Sequence, residues 1–204
     1  MRTVFLINFF ILPLTLLAQY ADTVDYYSRG AIREKGKIYR QAKDGPWLYF
    51  YPSGQLSASE NYMRGKLHGE VTYYYPDGVL QGNERWENGF LTDSAFYYYR
   101  SGKLERKGVY DRGQYADLWR YYFESGMLSR LIAYVNGLPE GETQSFAESG
   151  VIVQSGQYRE GLESGEWRFY DEKGSIRYSG FYESGKRTGT WYRYDRRGNR
   201  RVWK

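Results

Sequence analysis

From about residue 45 to the C-terminus, glycine returns every 24 residues without a slip. Gly54, Gly78, Gly102, Gly126, Gly150, Gly174 and Gly198 form one series, and Gly65, Gly89, Gly113, Gly137, Gly161 and Gly185 a second. Aromatic residues hold the same step: Phe50, Tyr74, Tyr98, Tyr122, Phe146, Tyr170 and Tyr194, and separately Tyr62, Trp86, Tyr110, Tyr134, Tyr158 and Tyr182. A fixed period of this length marks a repeat array, in which each unit buries its apolar face only against its neighbours. The chain holds 24 Tyr and 24 Gly. A low-complexity tract could share that composition, but it has no reason to keep rings in phase over seven copies.

Each unit reads as two strands and two turns. The first unit starts at Gly45, and the starts then fall at Gly69, Asp93, Asp117, Gly141, Gly165 and Gly189. Trp47 to Tyr51 is aromatic and β-prone, and Gln55 to Tyr62 alternates in character. Pro-Ser-Gly54 or Pro76-Asp77-Gly78 separates the two as a tight turn. The second glycine series closes the other turn, as at Arg64-Gly65 and Asn88-Gly89. Helix fails on punctuation, because a glycine costing about 1 kcal/mol would recur in every ten or so residues. The expected fold is all-β: an elongated, twisted antiparallel hairpin meander in one sheet. Seven units at about 4.8 Å per strand would extend over roughly 65 Å.

Because 24 is even, a strand position returns to the same face in every copy. Leu56, Leu80, Leu104, Leu128, Ile152 and Ile176 share a face with the Tyr62 series. These rows, with the Phe50 series, are expected to be the packed side, and Gly108, Gly156 and Gly180 to leave room beside its rings. Ser57, Gln81 and Glu105 should face water.

Residues 1–19 stand apart from the array. Met1-Arg2 is followed by an apolar run from Val4 to Leu17 and by Ala18 before Gln19. That is the shape of a secretory signal peptide, and it is short for a membrane span. It predicts export to the periplasm, cell envelope or exterior. Residues 20–44 read as a degenerate capping repeat, with Tyr26, Gly30 and Ile32 one period before Phe50, Gly54 and Leu56. Residues 45–204 hold seven repeats, the last truncated. The chain has no cysteine, which removes disulfide staples and thiolate metal sites. Its net charge of +5 is mild and interspersed, so no nucleic-acid partner is expected. The arginines from Arg193 to Arg201 read as charge guarding a terminal strand against edge-to-edge pairing.

No catalytic set emerges. His68 is the sole histidine, no Gly-x-Ser-x-Gly elbow exists, and no acidic position repeats convincingly. The expectation is a non-enzymatic chain without catalytic residues, cofactor or metal site. One stripe does invite a partner. Trp47, Tyr49 and Tyr51 are followed by Tyr73 and Tyr75, by Tyr97 and Tyr99, then by Trp119, Tyr121 and Phe123. After residue 140 the same positions hold Ser145 and Ala147, Phe169 and Asp171, then Arg193 and Asp195. The stripe is expected on the face opposite the packed one, where exposed rings would mark an interaction site. The alternative is that these rings pack on each other across strands.

At Tyr62-Met-Arg-Gly65-Lys-Leu-His68-Gly69, at Trp86-Glu-Asn-Gly89 and at Tyr182-Glu-Ser-Gly185-Lys-Arg-Thr-Gly189-Thr-Trp191, the chain resembles MORN repeats, most of all the bacterial MORN-repeat variant family. The resemblance implies a hairpin-repeat sheet used as a binding scaffold, with a protein partner foremost. A glycan bound on a Tyr/Trp platform, or a membrane lipid, is a lesser implication. Many such variants are labelled antitoxin-like, so a toxin-neutralising immunity role is an alternative that the export signal argues against. Asp93 and Asp117 depart from the leading Gly of the pattern, and Val71, Ala95 and Thr143 from its Trp.

Overall fold

The computed structural model describes residues 19–203. The expected signal segment lies outside the described residues, save for its last position. Seventeen strands follow in chain order: β1 (Ala21–Tyr26), β2 (Ile32–Tyr39), β3 (Ala42–Phe50), β4 (Leu56–Met63), β5 (Lys66–Leu67) and β6 (Gly69–Tyr74). The series continues with β7 (Leu80–Glu87), β8 (Phe90–Tyr98), β9 (Leu104–Asp111), β10 (Gln114–Tyr122), β11 (Leu128–Val135) and β12 (Leu138–Phe146). It ends with β13 (Ile152–Arg159), β14 (Leu162–Tyr170), β15 (Ile176–Glu183), β16 (Lys186–Tyr194) and β17 (Arg200–Trp203). Each strand pairs antiparallel with its neighbours in sequence, giving one open meander. β5 and β6 act as one strand interrupted at His68, and both pair with β4.

Both turns follow from backbone chemistry. Arg64-Gly65, Asn88-Gly89 and Asn136-Gly137 hold positive φ at both central residues, the geometry that matches the twist of flanking strands. At the other end, the N–H of Tyr51 donates to Gln55 O, and the N–H of Gly54 donates back to Tyr51 O, both at 2.8 Å. The same pair of bonds recurs down to Asp195 and Asn199.

The structure adds detail at Gly45, the first position of a unit, which lies inside β3. It has a φ of 71°, and Asp93 and Asp117 take its place with φ of 59° and 55°. Asp tolerates that conformation better than most residues. The sidedness differs from the expectation. Gly45, Trp47 and Tyr49 pair directly with Tyr62, Glu60 and Ala58, and directly opposed residues share a face. The Trp47–Tyr49 row therefore lies with the Tyr62 row, on what we call the inner face. A register shift between Tyr49 and Phe50 breaks the alternation that was carried from Phe50 across the turn.

The core is a single row crossing the sheet on that inner face. Trp47, Val71, Ala95, Trp119, Thr143, Trp167 and Trp191 are all buried. Each indole leans back over the preceding strand, so a glycine must lie beneath it. A Cβ at Gly36, Gly108, Gly156 or Gly180 would stand 2.4 Å or less from the ring of Trp47, Trp119, Trp167 or Trp191. Where the Trp is replaced, the residue eleven positions earlier is larger: Glu60 with Val71, Glu84 with Ala95, Ile132 with Thr143. Size is thus exchanged within a pair, as close packing requires.

Candidate functional site

The expected binding stripe falls on the packed face. Trp47 and Trp119 are enclosed at 1% and 0% exposure, so neither can meet a partner. Tyr49, Tyr73, Tyr97 and Tyr121 are half-buried beside them. Tyr97 stacks at 6.5 Å from Trp119, and Tyr121 lies 6.2 Å from it. Tyr51, Tyr75 and Tyr99 sit at the strand ends, where their hydroxyls donate to the carbonyls of Tyr74, Tyr98 and Tyr122 at 2.7–2.8 Å. Tyr27 does the same to Phe50 O. Each such bond ties one turn to the strand end 23 residues on. Phe123 occupies the next position without a hydroxyl.

What the stripe does form is a hydrogen-bonded row from β2 to β9. The Lys43 ammonium meets Glu34 at 2.8 Å and donates to the Tyr49 hydroxyl at 2.7 Å. Tyr49 and Tyr62 hydroxyls lie 3.0 Å apart, and Tyr62 donates to Glu60 at 2.5 Å. One period on, Glu84 accepts from Trp86 Nε1 at 2.9 Å and from the Tyr97 hydroxyl at 2.7 Å. The Tyr97 hydroxyl is also 3.3 Å from that of Tyr110. Glu84 is only 8% exposed, and these donors satisfy it. Burial first, then the neighbouring hydroxyls and carboxylates, pushes Tyr49, Tyr73 and Tyr97 well above the usual phenol range. Tyr62 is pushed up to about 12 by burial and by its bond to Glu60. Glu60 and Glu84 escaped the sequence reading. The signal was present: they stand 24 residues apart, at the position where other units have glycine beneath a Trp.

Glu60 and Glu84 are met by neighbouring donors and the Trp members are enclosed, which leaves the opposite, outer face as the freer surface. There Leu118, Val135, Leu138 and Leu162 are exposed, with Val135 and Leu138 above half. Val135 pairs with Leu138 and Leu118 with Ala133, so they form a contiguous patch over β10 to β12. β11 supplies Leu131, Ala133 and Val135 outward and Leu128, Ile132 and Tyr134 inward. An apolar residue on both sides is the pattern of a strand covered on both faces. Among the described residues, nothing covers its outer side.

The repeat geometry agrees with the comparisons. The MORN repeat variant model matches residues 43–63, 67–88, 94–112 and 163–184, each spanning two strands and the turn between them. A search of curated proteins finds no match. Solved structures with some likeness include TcdB2-TccC3, at 12% identity and a TM-score of 0.20, covering 86% of this chain. This chain spans 13% of that one. A porin-like protein from Bacteroides uniformis ATCC 8492 is 10% identical with a TM-score of 0.22, covering 89% of this chain and 86% of that one. Superpositions so loose carry no argument here. Four stretches of this chain thus match the MORN repeat variant, and the chain is a repeat scaffold built from such hairpins.

Proposed function

We propose that this protein is a non-enzymatic scaffold, working outside the cytoplasm, that binds another protein through the outer face of its sheet. The observation that supports the reading is β11, apolar on both sides in a sheet with one layer. Its outward residues join Leu118 and Leu138 into a patch rimmed by Lys107 and Arg120, and exposed apolar patches with polar rims mark interaction sites. A glycan platform draws less support, because the rings it would need are the buried and half-buried rings of the inner face.

The test uses the exported full chain with Leu118→Glu and Val135→Glu together. Both residues face solvent, so the melting temperature should shift little, whereas crosslinking to the native partner should fall at least tenfold. Undiminished crosslinking by the double variant would contradict the outer-face site. Intact mass of the exported protein should begin near Gln19; retention of residues 1–19 on a cytoplasmic protein would contradict export.

A further inference from the structure

The positive charge of this chain is concentrated at one end. Residues 186–203 hold seven basic residues and one acidic, against +5 for the whole chain. On the inner face of that end lies a cleft of about 600 Å³ whose lining includes Val153, Phe169, Tyr178, Trp191 and Trp203. The Arg187 guanidinium stands over it, 4.3 Å from the Trp191 ring centre and 4.9 Å from that of Trp203. An adjoining cleft of about 470 Å³ is lined by Arg177, Arg193, Arg196 and Arg201 beside Asp195.

The last strand reaches this arrangement by losing a shift. In earlier units a bulge separates the 49-type and 50-type residues, whereas β16 and β17 pair without one. A one-residue change of register reverses which side each residue faces. Trp203 therefore pairs with Trp191, on the inner face, and its ring centre lies 4.7 Å from that of Tyr178. The same register sets Arg193 directly opposite Arg201, with Tyr178 opposite Arg193 on the other side. Like charges directly opposed across strands are unfavourable. The nearby carboxylates relieve them only in part, because Asp195 feels the charge of Arg201 but forms no ion pair with it. Asp171 is bonded to Arg177 at 2.6 Å, and Asp195 accepts from Arg197 N–H, Asn199 N–H and the Asn199 side chain. Arg187, Arg193 and Arg201 make no ion pair among the described residues.

We propose that this end of the inner face binds a short acidic peptide segment of a partner protein. Its carboxylates would meet Arg187, Arg193 and Arg201, and an apolar side chain would enter between Phe169 and Trp203. Guanidinium forks match carboxylates in geometry and charge. A sugar ring is a poor occupant, because Arg187 already covers the indole face it would stack on. A long polyanion or an anionic membrane is a poor one too, because the basic surface stops here: Glu163 stands on the inner face of β14, with Glu160 in the turn before it. The site shares only its class of partner with the outer-face reading and lies on the other face, so either can fail alone.

The experiment is fluorescence anisotropy of a short labelled peptide of alternating Glu and Val with the full chain. Saturable binding is expected, weakened about tenfold or more by Arg193→Gln with Arg201→Gln. That variant should melt at or above the wild-type temperature, since it relieves a like-charge contact. Arg112→Gln with Arg159→Gln removes the same charge from exposed positions at a turn and a strand end elsewhere and should bind as wild type. Absence of binding, or equal weakening by the two double variants, would overturn the site. Tighter capture of single-stranded oligonucleotide or anionic vesicles through the same arginines would overturn the occupant.

Discussion

The two halves of this sheet share a backbone and differ in how they hold it. As far as Tyr122, the strand-end position is Tyr27, Tyr51, Tyr75 and Tyr99, each donating its hydroxyl to a carbonyl of the next unit. Beyond it the position is Phe123, Ala147, Asp171 and Asp195. Asp171 accepts from the N–H groups of Lys173 and Ser175, and Asp195 from those of Arg197 and Asn199. The first half ties turns to one another, while the end of the second ties each turn to itself. The turn backbone bonds are the same in both. The core row varies too: the Glu60 and Glu84 pairs, set among tyrosines, lie in the first half, while Trp over glycine occurs in both halves. A repeat thus fixes positions and volumes more tightly than it fixes chemistry.

The largest effects should come from the row itself. Trp119→Ala and Trp167→Ala should each cost about 3–5 kcal/mol in urea unfolding, because a filled site collapses only in part. Thr143→Ala, at the same position in another unit, should cost about 1 kcal/mol through its bond to Leu131 O. Equal losses at all three would erase the distinction between filled and replaced units.

Next in size is a response to alkali concentrated in the tyrosine half, since beyond Tyr122 only Tyr158 among the described residues is also raised by burial. Folding keeps Tyr49, Tyr62, Tyr73 and Tyr97 protonated, whereas an unfolded chain releases those protons near pH 10. The unfolded state then binds fewer protons, so this stabilisation is full below pH 10 and falls as pH rises above it. Amide exchange between pH 9 and 11.5 should show β3 to β8 losing protection before β13 to β16. Simultaneous loss in both regions would contradict the contrast.

Smaller effects separate the two ways of closing a turn. Tyr75→Phe removes one inter-unit bond and should lower stability by about 1 kcal/mol. Phe123→Tyr should add part of a bond, gaining about 0.5 kcal/mol if its hydroxyl reaches Phe146 O. No change from either would mean that the hydroxyl series does not hold the turns.

Much of this was readable from residues alone. The period, the two turn types and the room that Gly108, Gly156 and Gly180 leave beside rings all follow from glycine spacing. Sidedness did not follow. Parity within a strand is set by the sequence, but parity between strands depends on the bulge after Tyr49, which no residue type announces. The candidate stripe was placed on the outer face for that reason, since a ring assigned to the wrong face looks exposed. The exposed side of β11 was equally hidden, because an apolar run reads the same in a covered and an uncovered sheet.

The central claim is that Gly108 and Trp119 are two parts of one volume. A double-mutant cycle tests it by converting that pair to the form that Glu60 and Val71 already take. Gly108→Glu alone would drive a side chain into the indole, and Trp119→Val alone would leave a void. Together they should cost less than the sum of the single changes by about 1–3 kcal/mol. Costs that add to within about 0.5 kcal/mol would show that the two positions are independent, and the packing account would be wrong.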